Sequence, residues 1–294
     1  MTTPTTENLV RSLLAESGDL PDSAKYAARR LVLDFLGIAI AGARTAEGRT
    51  VVDVMAQTEP TGECGVPVDP RRFSPATAAL VFGTMGYAIG LTDTHSRSIT
   101  HPGPSVVPGV LAVGQAVGAT ADQMLTAVAL GVEAIARIGA AVNPSHRARG
   151  FHPTATCNHF GVALATSYLL GSDLEHTLWS LGIAGSMAGG LYEFRQSGNM
   201  LMALHGGWPA HGGIHAGQLA AGGFSGPTTV LEGPEGFLRG FADETHPEAL
   251  VRTPGEQWLV EDLSMRPYCA CRYAHAAIDA LGQIRQQSPV PADQ

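Results

Sequence analysis

Side chains able to bind or transfer a proton lie close together between two apolar segments. The stretch 83–107 reads GTMGYAIGLTDTHSRSITHPGPSVV and contains Asp93, Thr94, His95 and His101. Histidine is the side chain whose ordinary pKa lies nearest to neutral pH. A polar loop between two helices is fixed at both ends, while its backbone stays free to meet a ligand. We therefore predict acid–base chemistry in this loop, with His101 as the first acid–base group.

A second polar loop, NPSHRARGFHP over residues 143–153, contains Arg149 and His152. His152 has the same loop setting as His101, and the guanidinium of Arg149 is suited to holding a carboxylate with two parallel hydrogen bonds. His205, in ALHGGW, fits a buried structural histidine at least as well as a functional one. We expect the two histidine-bearing loops to contribute to one pocket.

Other kinds of site find little support in the sequence. His211 and His215 have the spacing that places two imidazoles on one helical face, as in zinc sites. No glutamate follows His211, glycines occupy positions 212 and 213, and no third ligand belongs to a motif, so we predict no metal site. The chain has no G-x-x-x-x-G-K-[ST] loop, no strand-linked G-x-G-x-x-G and no G-x-S-x-G elbow. A nucleotide-binding fold and a serine hydrolase are therefore not predicted.

The composition favours a buried, helical and acidic protein. Of 294 residues, 45% are apolar and 15% charged, and the formal net charge is −8. No basic stripe is present, so nucleic acid is not an expected partner. No secretory signal is visible, and the apolar run 31–43 is interrupted by Asp34 and too short to span a bilayer. We expect a cytoplasmic protein that does not enter a membrane, with its four cysteines as buried free thiols.

Apolar periodicity and capping residues predict a mainly α fold. The predicted helices cover 8–17, 22–43, 74–89, 105–117, 120–142, 154–170, 172–188, 210–221, a short segment near 240, and 273–286. Capping boxes are predicted at 120–123 and 172–175. Nine glycines between 198 and 226 predict a break before the helix at 210. Strands are predicted only at 257–260 and 265–268, with a loop or short hairpin at 59–72. The abundance of alanine and glycine indicates a tightly packed helical bundle.

Seven segments in one order resemble the MmgE/PrpD family, which contains 2-methylcitrate dehydratase, cis-aconitate decarboxylase and iminodisuccinate epimerase. The matching segments are LVLDFLGIAIAG, TDTH…THPG, RGFHPT, LGIAGSMAGGL, LHGGWPAHGGIHAG, GFSGPTTVLEG and RPYCACRYAHAAID. The resemblance implies a large all-α domain, a smaller α/β lid domain, a homodimer and cofactor-independent chemistry beside a carboxylate. It implies a helical domain over 1–262, with 263–294 as only the beginning of the lid followed by a flexible tail.

Carried over residue by residue, the resemblance implies a specific set of site residues. His101, His152 and Asp93 are expected to be catalytic. The expected substrate-binding residues are Thr94, His95, Arg149, His205, Arg266, Tyr268, Arg272 and His275. Four positions depart from the family pattern: Gly90 and Thr92 stand where relatives carry aspartate, and Met202 and Arg266 where they carry lysine. A pocket with one anion and one cation fewer than in relatives favours a substrate with fewer carboxylates or more apolar surface.

These residues predict a lyase or isomerase that transfers a proton next to a carboxylate or carbonyl of a small organic acid. One alternative is a diverged biosynthetic enzyme that cyclises or rearranges a more apolar intermediate. Another is a non-catalytic partner subunit that needs a second chain for the lid. The expected partners are a small carboxylate and a second copy of the chain, and the alternative adds a second polypeptide that completes the lid.

Overall fold

The computed structural model describes residues 5–59, 61–67, 69–253 and 255–287, and its fold is mainly α, as predicted. The helices are α1 (Thr5–Glu16), α2 (Asp22–Gly42), α3 (Ala46–Thr58), α4 (Pro75–Tyr87), α5 (Gly103–Val117), α6 (Ala121–Val142), α7 (Ser145–Ala148), α8 (Pro153–Leu169), α9 (Leu174–Met187), α10 (Phe194–Ser197), α11 (Leu201–Ala221), α12 (Phe237–Phe241) and α13 (His275–Gln287). Strands β1 (Cys64–Val66) and β2 (Asp69–Phe73) form an antiparallel hairpin within the region predicted as loop or hairpin. The predicted tail, 288–294, lies outside the described residues.

The centre of the bundle consists of α4, α5, α6, α8 and α11, which pack against one another. Among the described helices, α6 alone is long and apolar enough to cross a membrane, and its apolar window is wholly buried by the other helices. It carries a buried Glu133 and Arg137 on the same face, paired at 2.8 Å. α6 is therefore the core helix of a bundle, and its burial explains its apolar composition.

The prediction of a break before residue 210 is wrong, because α11 runs without interruption from Leu201 to Ala221. Its glycines face neighbouring helices at distances that admit no side chain. A Cβ atom at Gly207 would lie 2.1 Å from the carbonyl oxygen of Leu80 in α4, and one at Gly213 2.6 Å from Cβ of Val162 in α8. Glycine weakens an isolated helix, but here it permits the close packing that stabilises the bundle.

The capping predictions have two outcomes. Thr120 and Gln123 form the predicted capping box at the start of α6. The second box is wrong, because the side chain of Asp173 caps α9 by accepting from the backbone N–H of His176 at 2.9 Å. The hydroxyl of Ser172 is buried and has no partner within the described part of the chain. A carboxylate one residue later is the stronger acceptor for the exposed N–H groups.

The strand predictions near the end of the chain are wrong. Residues 257–260 lead into a 3₁₀ helix, Leu259–Asp262, and 265–268 forms no strand in the described structure. The backbone N–H of Leu259 donates to the buried carboxylate of Glu133 at 2.7 Å, which bends the chain towards α6. Arg252 packs 4.2 Å from the ring of the buried Trp258. These polar contacts, rather than a sheet, hold this segment.

Two further features differ from expectation. Helix α3 was not predicted, and Thr45 caps its first turn by accepting from Gly48. Cys64 and Cys157 are buried as predicted, whereas Cys269 and Cys271 are exposed. The prediction of buried thiols is therefore wrong for Cys269 and Cys271.

Candidate active site

Asp93 joins the first polar loop to the start of α5. Its buried carboxylate accepts from the backbone N–H of Gly103 at 3.1 and 3.2 Å. A Cβ atom at Gly103 would lie 2.4 Å from Oδ1 of Asp93, so this position admits only glycine. Burial raises the pKa of Asp93 to about 7, and the helix N-terminus favours its ionised form. Asp93 thus fixes the end of the loop that carries His101.

The protonation state of His101 follows from its hydrogen bonds. Its Nδ1 lies 2.6 Å from the backbone carbonyl oxygen of Asp93. A carbonyl oxygen only accepts, so Nδ1 carries the proton and Nε2 has the lone pair, which accepts a long hydrogen bond of 3.5 Å from Nη2 of Arg266. Burial and the nearby Arg266 lower the pKa of His101 to about 4. His101 is therefore a neutral imidazole at pH 7 whose Nε2 is available as a base.

The backbone of His101 is held on both sides by α8. Its N–H donates to Oγ1 of Thr154 at 3.1 Å, and its carbonyl accepts from Nδ2 of Asn158 at 3.0 Å. Asn158 also donates to the hydroxyl of Ser105 in α5 at 2.9 Å. Thr154 and Asn158 were not predicted as site residues. They act by binding the backbone of His101, and no sequence pattern marks residues with that role.

Arg266 lies against the first loop and beside His101. Its Nη1 donates to the carbonyl of Gly90 at 2.9 Å, and its Nε and Nη2 each lie 3.4 Å from Oγ1 of Thr94. Its Nη2 is 3.5 Å from Nε2 of His101. No carboxylate in the described ranges forms an ion pair with Arg266. A half-buried cation without a counter-ion, next to an unprotonated imidazole nitrogen, is suited to binding an anion.

The segment that carries Arg266 is attached to the loop by further contacts. Thr94 and Ser264 exchange two backbone hydrogen bonds, of 2.9 and 3.0 Å. Sγ of Cys269 lies 2.6 Å from the carbonyl oxygen of Ile89, to which it donates. These contacts fix the position of the guanidinium relative to the loop.

A row of aromatic rings continues the site from His101 towards α8 and α11. The ring centroid of Tyr87 is 5.7 Å from that of His101 and 6.2 Å from that of His152, to which it is parallel within 2°. The Tyr87 hydroxyl lies 3.4 Å from Nε2 of His152. The edge of Tyr192 meets His152 at a centroid distance of 5.1 Å. Tyr87 ends α4 within the very stretch that was singled out, yet the sequence analysis did not name it.

His152 and His205 form a buried pair, with their Nδ1 atoms 2.8 Å apart. One of these nitrogens must donate and the other accept, so a single proton lies between them. Burial lowers the pKa of His205 to about 4. Burial, followed by the neighbouring His205, lowers the pKa of His152 well below its ordinary value. Both rings are neutral at pH 7.

The structure places the other predicted residues in separate contacts. The Nδ1 of His95 binds Oγ of Ser98 at 2.7 Å within a turn of the first loop. Arg149 pairs with Asp243 at 2.5 Å on the surface. Neither side chain makes a described contact with His101 or Arg266.

Tyr268, Arg272 and His275 also lie apart from the His101 cluster in their contacts. The hydroxyl of Tyr268 donates to Asp279 in α13 at 2.6 Å. The Nε2 of His275 lies 3.1 Å from the carbonyl oxygen of Ala270, and its ring meets that of Tyr268. Arg272 is exposed. Tyr268 and His275 thus form a local cluster at the start of α13.

The positions that depart from the family pattern have clear settings. Gly90 has a φ of +70° and supplies the carbonyl that binds Arg266. Thr92 is buried, and its hydroxyl has no partner among the described residues. Met202 is half-buried in the first turn of α11. The His211 and His215 rings are 4.6 Å apart, and no group of three or more potential metal ligands exists in the part of the chain that the structure describes.

Sequence comparison identifies related proteins. The family described as MmgE/PrpD N-terminal domain matches residues 14–250. A cis-aconitate decarboxylase of Aspergillus terreus (strain NIH 2624 / FGSC A1156) is 29% identical over 284 residues, which cover 92% of this chain and 58% of that protein. The cis-aconitate decarboxylase-like protein oryM of Aspergillus oryzae (strain ATCC 42149 / RIB 40) is 25% identical over 286 residues, covering 92% and 59%. The chain thus spans somewhat more than half the length of these relatives.

Proposed function

Because this chain belongs to the MmgE/PrpD family, we propose that it carries the acid–base centre of a lyase acting on a small organic acid. The reaction is a proton transfer at a carbon next to a carboxylate, of the dehydratase or decarboxylase type, and it needs no cofactor. One observation carries the proposal: the unprotonated Nε2 of His101 lies 3.5 Å from a guanidinium nitrogen of Arg266 that has no counter-ion in the described structure.

In the proposed mechanism, Arg266 binds the substrate carboxylate and His101 takes the proton from the neighbouring carbon. The proton moves to Nε2, and the electron pair left on carbon is delocalised into the carboxylate, whose added charge Arg266 stabilises. Hydroxide then leaves the next carbon, takes up a proton from the Tyr87–His152 pair to depart as water, and a double bond forms. In a decarboxylation, Nε2 of His101 first takes up a proton from solvent once the bound carboxylate has raised its pKa. The bond to carbon dioxide then breaks, and the electron pair left on carbon accepts that proton.

The arrival of the substrate strengthens the base. Arg266 contributes to the lowered pKa of His101. A carboxylate bound at Arg266 offsets that positive charge, so the pKa of His101 rises when substrate is bound. The imidazole is thus unprotonated in the free protein and becomes a better proton acceptor in the complex.

The remaining residues have supporting roles in this proposal. Asp93 is a positioning residue, since its backbone carbonyl fixes the proton on Nδ1 of His101. His152 acts as the second acid–base group through the hydroxyl of Tyr87, which lies 3.4 Å from its Nε2. A single cation beside His101, with Met202 in place of a lysine, favours a substrate with one or two carboxylates.

We further propose that residues from 263 onward begin a lid domain and that the assembly is a homodimer. Support comes from α13, where Ile278, Leu281 and Ile284 are exposed at helical spacing. Such an apolar face is suited to packing against the other elements of a lid. Native mass spectrometry of the purified protein would show a dimer, whereas a monomer at working concentration would contradict this assembly.

The test of the reaction is solvent deuterium incorporation into hydroxy- and unsaturated carboxylates, followed by NMR. We expect incorporation by the wild-type protein and a rate at least about 100-fold lower for His101→Gln, in keeping with the usual contribution of a general base. The matched control is His176→Gln, at a partly exposed histidine paired with Asp173, which should keep the wild-type rate. Equal rates for wild type and His101→Gln on every substrate would contradict the assignment.

A further inference from the structure

We propose that a groove next to Tyr192 is a second anion-binding site, for a small ligand that carries phosphate or carboxylate groups. The groove has a volume of about 510 Å³, and none of the residues that line it is His101 or Arg266. Its polar lining consists of Arg147, Arg149, Tyr192, Glu193, Arg195 and Gln196. A cavity of this size holds a ligand of ordinary metabolite size.

Two of the three arginines have guanidinium groups free for a ligand. The guanidinium carbon of Arg147 lies 3.4 Å from the ring centroid of Tyr192, and that of Arg195 lies 5.4 Å from the same centroid. Neither side chain forms an ion pair within the described ranges. Stacking on an aromatic ring orients the planar group and leaves its N–H donors at the rim available for an oxyanion.

The local charge favours an anion. Asp243 neutralises Arg149, and Glu193 is the carboxylate in the lining, so the groove retains one excess positive charge. The whole chain has a formal charge of −8, with 18 lysines and arginines among its 294 residues. A concentration of three arginines in one cavity of such an acidic protein makes this groove a place where an anion is attracted rather than repelled.

The groove shares a wall with the candidate active site. Tyr192 contacts Arg147 on the groove side and His152 on the other. Its backbone N–H donates to the carbonyl of Gly150 at 2.8 Å, and the N–H of His152 donates to the carbonyl of Gly190 at 3.0 Å. A ligand bound by Arg147 and Arg195 would therefore stabilise these two backbone hydrogen bonds, which position His152. This inference rests on the geometry of the groove and not on the proposed reaction.

The test is calorimetric titration of the full chain with inorganic phosphate and, separately, with citrate. We expect at least one of these probes to bind. The double variant Arg147→Gln/Arg195→Gln should weaken that binding by about tenfold or more, because charge-assisted hydrogen bonds are lost. The matched control is Arg30→Gln, at an exposed arginine 6.0 Å from the ring of Tyr26, which should bind as wild type. If the double variant is unstable, the single variant Arg195→Gln, at an exposed position, is titrated in its place.

Each outcome decides the proposal. Binding of phosphate alone would indicate a phosphorylated ligand, binding of citrate alone a polycarboxylate, and both would support the site. The proposal is overturned if neither probe binds at millimolar concentration or if the double variant binds as wild type. It is also overturned if Arg266→Gln abolishes the binding, because the anion would then lie at the candidate active site. If the protein binds the anion but catalyses no deuterium exchange, the anion-binding site in the groove is still supported. Only the proposed reaction is then refuted.

Discussion

The Nη2 atom of Arg266 lies 3.5 Å from the Nε2 atom of His101. The two groups are 165 positions apart in the sequence, and neither is paired with a carboxylate side chain in the part of the structure that is described. Arginine does not release its proton at physiological pH. Within this pair the arginine can hold an anion, and only the imidazole can exchange a proton.

Replacement of Arg266 tests this pair without any substrate. In Arg266→Gln we expect the pKa of His101 to rise above about 4, because the neighbouring positive charge that opposes protonation is gone. NMR titration of the histidine ring protons measures this shift. On a substrate, the KM should rise about tenfold or more, since a charge-assisted hydrogen bond is lost.

Arg285→Gln is the control for this measurement, because Arg285 lies exposed on α13. It should leave both the His101 pKa and the KM unchanged. An unshifted His101 pKa in Arg266→Gln would show that burial alone sets the protonation of the imidazole.

The buried histidines predict that the protein loses stability in mild acid. His146, His159 and His205 have folded-state pKa values lowered to about 4 by burial, below the unfolded value near 6.5. The unfolded chain therefore binds more protons between these values, and the free energy of unfolding falls as the pH drops from about 6.5 to about 4. Asp93, with its pKa raised to about 7, and Asp34 and Glu133, whose pKa values burial also raises, act in the opposite direction. They are three carboxyl groups against seven histidines whose pKa values burial lowers. Urea denaturation at a series of pH values measures the slope.

His159→Gln serves as the comparison for that slope. The Nε2 of His159 is buried without a partner among the described atoms, and this residue takes no part in the candidate site. Its removal should reduce the number of protons taken up on unfolding near pH 5 by about one. The same slope in wild type and variant would mean that His159 is protonated in the folded protein.

A buried ion-pair network predicts a large loss of stability on removal of one carboxylate. Glu133 is fully buried and accepts from Arg137 at 2.8 Å and Arg252 at 2.9 Å. Glu133→Gln would leave two buried guanidinium groups without this counter-ion, at a cost of about 3–5 kcal/mol in the free energy of unfolding. Glu7→Gln, at the surface pair with Arg11, should change it by less than about 1 kcal/mol. Equal effects in chemical denaturation would show that the network is not stabilising.

The helix packing predicts opposite effects for two glycine-to-alanine substitutions. Gly207→Ala places a methyl group 2.1 Å from the backbone oxygen of Leu80, so α4 and α11 must separate, with a loss of about 1–3 kcal/mol. Gly37 lies on an exposed part of α2 with no atom within 4 Å of an added Cβ, so Gly37→Ala should stabilise by up to about 1 kcal/mol. Thermal unfolding compares the two. Stabilisation by Gly207→Ala would contradict the close approach of α4 and α11.

Local rules predicted the elements whose causes lie within a few residues. Ser74 caps α4, and the Thr120–Gln123 box starts α6, because both contacts are made inside one helical turn. The continuity of α11 was not predictable in this way. Its glycines are stabilised by α4 and α8, and the sequence of α11 alone gives no information about those neighbours.

The candidate site was predicted in part, for a similar reason. His101 was named from its loop setting and Arg266 from a family resemblance, and the structure places them side by side. Tyr87 was not named, because the fold brings the last residue of α4 to His152, the residue before α8, and no local sequence pattern indicates this contact. The role of Arg149 and Tyr268 at a substrate stays a prediction, since their described side-chain bonds are to Asp243 and Asp279.

The attachment of the segment 264–269 to the first loop has a consequence for the order of folding. His101 and Arg266 are 165 positions apart in the sequence, and contacts of such long range form slowly because a large loop must close first. The α4–α11 and α6–α8 contacts must exist before the segment has a surface on which to lie. Activity should therefore return last during refolding, after helical circular dichroism has reached its native value, and it would serve as a reporter of the completed native state.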